Sequence, residues 1–331
     1  MSASTFRTPH PARTTTGTRT AAAGPAGHPA SAGRAYPSLT TTVPKEFVHR
    51  ASIAEVLLTD WARLDEHRFT VAAQWPRGHS FFTSTHNCHD PLMVAETFRQ
   101  AGMLLAHTEL GVPLGYQLLV RDLGVHIKPE HLGVGATPAT VELHMTATDV
   151  RQRGGILTSC RYDAVIHRDG HPAGTAHGTV TCMAPATYRR IRTLHGPHTT
   201  QPPLTLTAPL APQLVGRSSP KDVVLSPTTH PGQWRLRVDP THPILFDHPL
   251  DHVPGMLLLE AARQSTTATL GHTTPPHHID STFNRYVELN TPCLIHTTTH
   301  PTTTPHQQTL TITARQNNHP AFHCTITLPT P

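Results

Sequence analysis

The chain is poor in charge, in lysine and in cysteine, and it contains no long apolar run. Charged residues make up 14% of its 331 residues, and the formal net charge is +5. Because the basic residues form no run or stripe, a nucleic-acid-binding protein is not expected. No apolar stretch approaches the roughly 18 to 20 residues that a membrane span requires, so no membrane partner is expected.

The few cysteines also restrict the cellular compartment. The five cysteines are an odd number, lie far apart and form no Cys-x-x-Cys motif, which favours a reduced cytoplasmic protein over a disulfide scaffold. Histidine, in contrast, occurs 28 times. We attribute the His/Cys cluster at residues 79–89 to this abundance, and we expect neither a metal nor another cofactor.

A repeated motif indicates an internal duplication. The pattern Glu-x-x-Arg-Gln begins at Glu96 and again at Glu260, 164 positions later. The segment Val-His-Arg-Ala-Ser at 48–52 likewise matches Val-Gly-Arg-Ser-Ser at 215–219. A period of about 165 residues is too long for a solenoid repeat. It predicts two copies of one domain.

Composition sets the boundaries of the two predicted domains. Residues 1–42 contain too little apolar surface to fold and are predicted to form a disordered leader, although an organellar transit peptide has a similar composition. The first domain is predicted at 43–192 and the second at 214–331. The Pro/Thr-rich segment 193–213 between them is typical of a linker.

Each predicted domain combines one apolar helix with several strands. Asp90 and Pro91 are suited to begin a helix, as a cap and a first-turn residue. A second helix is predicted from Gly255 to Leu270. Alternating β-branched and apolar segments predict antiparallel strands after each helix, including one at 283–289. The fold class is therefore α+β, with a helix packed on a sheet.

The repeated Glu and Arg are three residues apart, so they share one face of an apolar helix. The structural interpretation is an intrahelical ion pair, which is worth little at a surface. The functional interpretation is that buried charges carry out chemistry. We favour function for Glu260 and Arg263, and we leave both interpretations open for Glu96 and Arg99.

The segment that leads into the second helix carries a resemblance to known proteins. Pro254-Gly255 followed five residues later by Glu260 resembles the start of the central helix in hotdog-fold acyl-thioester enzymes. With the duplication and both repeated motifs, the chain from about residue 43 onward resembles the AfsA/ScbA family of γ-butyrolactone biosynthesis proteins of actinomycetes. This resemblance implies a double hotdog, in which each repeat is a long central helix wrapped by an antiparallel β-sheet.

The resemblance also implies an activity. A β-ketoacyl group would pass from an acyl-carrier-protein thioester to the hydroxyl of dihydroxyacetone phosphate, and the ester would lead to an autoregulator that controls antibiotic production. The expected partners are thus acyl carrier protein and dihydroxyacetone phosphate, with a homodimer left open. Two alternatives remain: another hotdog enzyme, such as a 3-hydroxyacyl dehydratase or a thioesterase, and a non-catalytic acyl-binding regulatory protein.

This chemistry suggests roles for particular residues. Glu260 could accept the hydroxyl proton, and backbone N–H groups near Gly255 could stabilise the oxyanion. Arg263 and Arg217 could hold the phosphate. His248 enters the same region as a substrate-binding candidate. If the first repeat also holds a working site, its catalytic residues are Glu96 and Arg99.

Overall fold

The computed structural model describes residues 40–195, 203–301 and 306–330. Nearly all of the predicted leader and part of the predicted linker therefore lie outside the described residues. Each half contains one long helix, α1 at Pro91–Thr108 and α3 at Gly255–Leu270. Both predicted central helices are confirmed. A shorter helix, α2, spans Pro185–His195.

The strands of the described residues form one antiparallel sheet of 12 strands. In chain order they are β1 Leu58–Arg63, β2 Arg68–Trp75, β3 Gln117–Ile127, β4 Ala139–Arg153, β5 Ile156–Arg168, β6 His171–Met183, β7 Leu225–Pro227, β8 Gln233–Leu236, β9 His278–Phe283, β10 Cys293–Thr299, β11 Gln307–Gln316 and β12 His319–Pro329.

The sheet has an internal two-fold pattern. Strands β3 and β9 pair at its centre, from Asp122 opposite Thr282 to His126 opposite His278. Outward from β3 the order is β6, β5, β4, β2, β1, and outward from β9 it is β12, β11, β10, β8, β7. Each half thus places corresponding strands in the same order around its own helix. The predicted α+β double hotdog is confirmed.

Both central helices are buried on nearly every side, because the curved sheet surrounds them. The side chain of Asp90 accepts a hydrogen bond from Leu92 N at 2.9 Å and caps α1, while Pro91 occupies the first helical position. Helix α3 ends at Leu270 and is followed by Gly271, whose φ of 75° lies in the left-handed region that glycine adopts without strain.

Two parts of the sequence fold differently from the prediction. The prediction of a strand at 283–289 is wrong, because β9 ends at Phe283 and the backbone of the segment after it is hydrogen-bonded to the side chain of Gln316. Glu288 N donates to Gln316 Oε1 at 2.8 Å, and Gln316 Nε2 donates to Glu288 O at 3.0 Å. Helix α2 was not predicted, and it extends across the expected domain boundary at residue 192.

The described residues also bear on membrane insertion and on disulfides. Among them, no helix has both the length and the apolarity needed to cross a membrane. All five cysteines fall within the described ranges and all are free thiols.

Candidate active site

The second Glu-x-x-Arg-Gln motif forms a buried ionic cluster on α3. Glu260 is fully buried and accepts hydrogen bonds from Arg217 Nε at 2.8 Å and from Arg263 Nη2 at 2.6 Å. Arg263 Nε donates to the second carboxylate oxygen of Glu260 at 2.9 Å, and the side-chain amide of Gln264 also donates to Glu260. Two guanidinium groups therefore neutralise one carboxylate inside the protein.

The first motif repeats this cluster on α1. Glu96 is buried and accepts from Arg50 Nη2 at 2.6 Å, from Arg99 Nη2 at 2.7 Å and from Gln100 Nε2 at 2.7 Å. Arg50 corresponds to Arg217 in the duplicated segment, so the two clusters match residue by residue. The repeated motif is therefore a repeated three-dimensional unit.

The carboxylates of both clusters stay ionised at neutral pH. Burial alone would raise the pKa of Glu260, but the charges of Arg217 and Arg263 outweigh burial and lower this pKa to about 2. The same opposing effects lower the pKa of Glu96 to about 2. Arginine side chains donate to both oxygens of Glu260 and to both oxygens of Glu96, so these carboxylates are poorly placed to accept a substrate proton.

Each cluster also binds a loop of the opposite half. Arg50 Nη1 donates to Ile244 O in the second half at 3.2 Å. The equivalent contact runs in the other direction, because Arg217 Nη1 donates to Phe81 O in the first half. The carboxylate of Asp247 accepts from the backbone N–H groups of Ala51 and Ser52. The arginines of one repeat therefore face the loop and helix start of the other, and any site between them is composite.

The two helix starts differ in whether they can bind a ligand. The first N–H groups of α1 are served by Asp90, which is buried and whose pKa is raised by this burial. Helix α3 follows Pro254 and has no side-chain cap. Its first N–H groups, at Gly255 and Met256, are therefore free to stabilise negative charge on a ligand.

A cavity of about 690 Å³ opens at this uncapped helix start. Its polar wall includes His49, Arg50 and Arg99 of the first half and His248 and Gly255 of the second. Its apolar wall comes from both halves and consists of Met103, Leu118, Leu119, Val120, Leu123, Met183, Ile191, Ile244, Leu245, Leu250, Val253, Met256, Leu258, Leu259, Phe283, Val287 and Ala321. The cavity thus combines an apolar surface with a polar one, which suits a ligand that has an aliphatic part and a charged part.

The cavity separates the residues that sequence reasoning had grouped together. Of the predicted site residues, Arg99, His248 and Gly255 line the cavity, and Glu96 lies directly behind Arg99. The remaining predicted residues, Glu260, Arg263 and Arg217, form the other cluster and are not among the residues that line it. Their catalytic role stays a prediction.

Arg99 has one guanidinium nitrogen available for a ligand. Its Nε and Nη2 both donate to Glu96 at 2.7 Å, which fixes the plane of the group. Its Nη1 lies 2.7 Å from the sulfur of Met103, a weak acceptor. A guanidinium held in this way is prepared to bind an anionic oxygen from the cavity.

Sequence reasoning missed Arg50 and His49, although the duplication contained the signal for both. The match between segments 48–52 and 215–219 aligns Arg50 with Arg217 and His49 with Gly216. The first pair marks a repeated cluster, and the second marks a position where the two halves differ. Neither inference required the structure.

Helix α2 closes one side of the cavity through charged contacts. Arg192 Nη1 lies 2.6 Å from Glu288, and its Nε lies 3.0 Å from Asp251. The guanidinium also stacks over the ring of Tyr286 with its carbon 4.8 Å from the ring centroid. These contacts tie α2 to the loop before α3 and to the segment after β9.

Fold and cavity together define a double-hotdog protein with a cavity lined by both of its halves. The chain belongs to the AfsA family, since the family model described as an A-factor biosynthesis hotdog domain matches residues 32–184 and 198–330. This confirms the resemblance seen in the sequence.

Relatives of similar length support the same family. A Streptomyces virginiae protein named 2-oxo-3-(phosphooxy)propyl 3-oxoalkanoate synthase is 45% identical over 290 residues, which is 87% of this chain and 98% of that protein. A Streptomyces griseus protein of the same name is 38% identical over 286 residues, or 86% and 94% of the two chains. Among solved structures, the 12:0-ACP thioesterase from Umbellularia californica aligns with a TM-score of 0.50 at 11% identity, covering 79% of this chain and 98% of that one, and shows the fold alone.

Proposed function

We propose that this chain is an acyltransferase that moves a β-ketoacyl group from an acyl-carrier-protein thioester to the hydroxyl of dihydroxyacetone phosphate. The name of its relatives describes the resulting ester: a 3-oxoalkanoate joined to the 2-oxo-3-(phosphooxy)propyl group. One observation carries the proposal for this chain. A single cavity combines a long apolar wall, an arginine whose Nη1 is bonded to a weakly accepting thioether sulfur, and an uncapped helix start.

The apolar wall is suited to the acyl chain. The cavity volume of about 690 Å³ lies in the range of sites that enclose drug-sized ligands. Leucines of the buried helix α3 and of strand β3 contribute side chains to it, so an aliphatic chain would be removed from water along its length. Burial of each methylene contributes about 0.8 kcal/mol to binding.

The start of α3 is suited to the thioester carbonyl. When the alcohol attacks, this carbonyl oxygen becomes negatively charged, and preorganised backbone N–H donors stabilise that charge. Gly255 and Met256 provide such donors, and both line the cavity. A side chain at position 255 would crowd Phe283, because a Cβ there would lie 3.1 Å from that ring. Glycine thus allows the helix start to approach both Phe283 and the ligand.

The arginines of the first half are suited to the phosphate. Arg99 presents Nη1 to the cavity, and Arg50 lies beside it on the same carboxylate. Glu96 acts as a positioning residue in this proposal, because it holds both guanidinium groups in place. His248, whose side chain is 39% exposed beside Asp247, is suited to contact the substrate ketone.

The carrier protein would bind at the mouth of the cavity. Arg121 and Arg285 are exposed and line the opening, which gives it a positive rim. Such a rim favours approach of an acidic carrier surface.

All five cysteines are free thiols, which supports a reduced, cytoplasmic location.

Product analysis tests this function directly. The purified protein is incubated with a β-ketoacyl thioester, with and without dihydroxyacetone phosphate. The products are then separated, and their masses are measured by mass spectrometry. We expect the phosphorylated ester and free thiol only when both substrates are present. Release of free β-keto acid at the same rate without dihydroxyacetone phosphate would identify a thioesterase. Tight binding of the thioester without any product would identify a binding protein.

A further inference from the structure

His49 occupies a position where the duplicated half has glycine. Its backbone adopts φ 52° and ψ 53°, in the left-handed region that side chains disfavour. The corresponding residue, Gly216, adopts φ 68°. His49 also lines the cavity, whereas its counterpart lies beside the other cluster, where a Cβ would be 3.6 Å from Arg263 Nη1. The first half therefore accepts a strained backbone conformation to place an imidazole at the cavity, whereas the second half has glycine at the corresponding position.

A short hydrogen-bond chain orients this imidazole. His107 Nδ1 lies 2.8 Å from Val112 O, and because a carbonyl only accepts, His107 Nδ1 carries a proton. His107 Nε2 lies 2.8 Å from His49 Nε2. In the neutral pair His107 Nε2 must accept, so His49 Nε2 donates and His49 Nδ1 holds the unshared electron pair. Within the described chain no protein donor is hydrogen-bonded to His49 Nδ1.

The surroundings keep both rings neutral. Burial, and after it the charges of the nearby His107, Arg99 and His248, lower the pKa of His49 to about 3. Burial lowers the pKa of His107 as well. The tautomers deduced from the hydrogen bonds are therefore those present at neutral pH.

Other acidic groups near the cavity are already occupied. Both oxygens of Glu96 accept hydrogen bonds from arginine. Both oxygens of Asp247 accept from backbone N–H groups, and both oxygens of Glu288 accept from Arg192. His248 remains as a second imidazole, but it is 39% exposed and its Nδ1 is 3.5 Å from Asp247, so its ring is held less firmly. His252 also lines the cavity, and its Nδ1 lies 2.6 Å from Asp251, so its ring is fixed as well. His49 is the fixed ring that adjoins Arg99, because Arg99 Nη2 donates to the carbonyl of the preceding residue, Val48, at 3.4 Å.

We infer that His49 is the general base of the acyl transfer, an inference that rests on the proposed function. As the hydroxyl oxygen of dihydroxyacetone phosphate forms a bond to the thioester carbonyl carbon, its proton passes to His49 Nδ1. The tetrahedral intermediate then collapses, the carbon–sulfur bond breaks, and the same proton passes from His49 to the leaving thiolate. The products are the ester and the free thiol, and His49 returns to its neutral form.

The substitution H49G tests this role, because glycine suits the backbone conformation and occurs at the equivalent position. We expect kcat for ester formation to fall by about 10²- to 10⁴-fold, while KM for dihydroxyacetone phosphate changes little. Added imidazole should restore part of the rate, because it can occupy the space of the lost ring. His86 provides a matched control: it also has φ 52°, is exposed and is not among the cavity-lining residues, so H86G should retain the wild-type kcat.

The outcomes separate this inference from the function on which it rests. If the wild type forms the ester and H49G keeps the rate of H86G, His49 is not the base although the proposed function stands. A loss of rate that imidazole restores in H248A or in H252A but not in H49G would assign the base to His248 or to His252. If the wild type forms no ester, both proposals fail. Should H49G not fold, H49N provides the same test, because asparagine tolerates a left-handed backbone and lacks a basic nitrogen.

Discussion

Replacing Glu260 with glutamine distinguishes a structural cluster from a catalytic base. E260Q keeps the size of the side chain and removes its charge. Arg217 and Arg263 then retain two positive charges, with side chains only 2% and 10% exposed, and lose the carboxylate to which both are hydrogen-bonded. Removal of one partner from a buried ion pair lowers the free energy of unfolding by about 3–5 kcal/mol. The lowered pKa gives a similar figure, since a fall from 4.5 to about 2 corresponds to about 3 kcal/mol.

The measurement has two parts. Urea unfolding followed by circular dichroism gives the free energy of unfolding, which should fall in E260Q by about 3–5 kcal/mol. Ester formation is then measured where the variant is fully folded, and kcat/KM should stay within about threefold of the wild type, a barrier change below 1 kcal/mol. The exposed Glu130 provides a matched control, and E130Q should change neither quantity. Unchanged stability combined with lost activity would refute this reasoning and support Glu260 as the catalytic base.

The remaining predictions concern the phosphate, pH and the carrier protein. R99K should raise KM for dihydroxyacetone phosphate by about 10- to 100-fold in steady-state assays without changing binding of the thioester, because lysine cannot bind Glu96 and a ligand in the same geometry. Glu96 and Glu260 have folded pKa values of about 2, below their ordinary 4.5, so their stabilisation is complete above pH 4.5. It should decline as pH falls from 4.5 to 2, by roughly 3 kcal/mol per carboxylate, in urea titrations at each pH. The double variant R121E/R285E should raise KM for the carrier-bound thioester at least about tenfold and leave KM for a small synthetic thioester unchanged.

The fold could be predicted from sequence because its signals are local and repeated. Pro91 after Asp90 marks the start of α1, and the apolar stretch from Gly255 to Leu270 gives the full extent of α3. The segment 284–289 shows the limit of this reasoning. Its alternating pattern resembles a strand, but its backbone is bound by the side chain of Gln316, a contact that periodicity cannot reveal.

The site could be predicted only in part, because it is shared between the halves. Arg99, His248 and Gly255 line the cavity, but the motif alone does not tell which arginine faces which helix start. That pairing depends on how the two similar domains pack. Arg263 lies near the start of α1, which Asp90 caps, and not near the uncapped start of α3. A duplicated sequence specifies two equivalent positions, and small differences between them decide which one stays open.

The composite nature of the site is tested most directly by a crystal structure of the protein with dihydroxyacetone phosphate bound. The phosphate should lie in the cavity with an oxygen about 3 Å from Arg99 Nη1, and the hydroxyl should lie between His49 and the start of α3. A phosphate bound at Arg217 and Arg263, with the cavity beside Gly255 left unoccupied, would contradict a site built from the arginines of the first half and the helix start of the second.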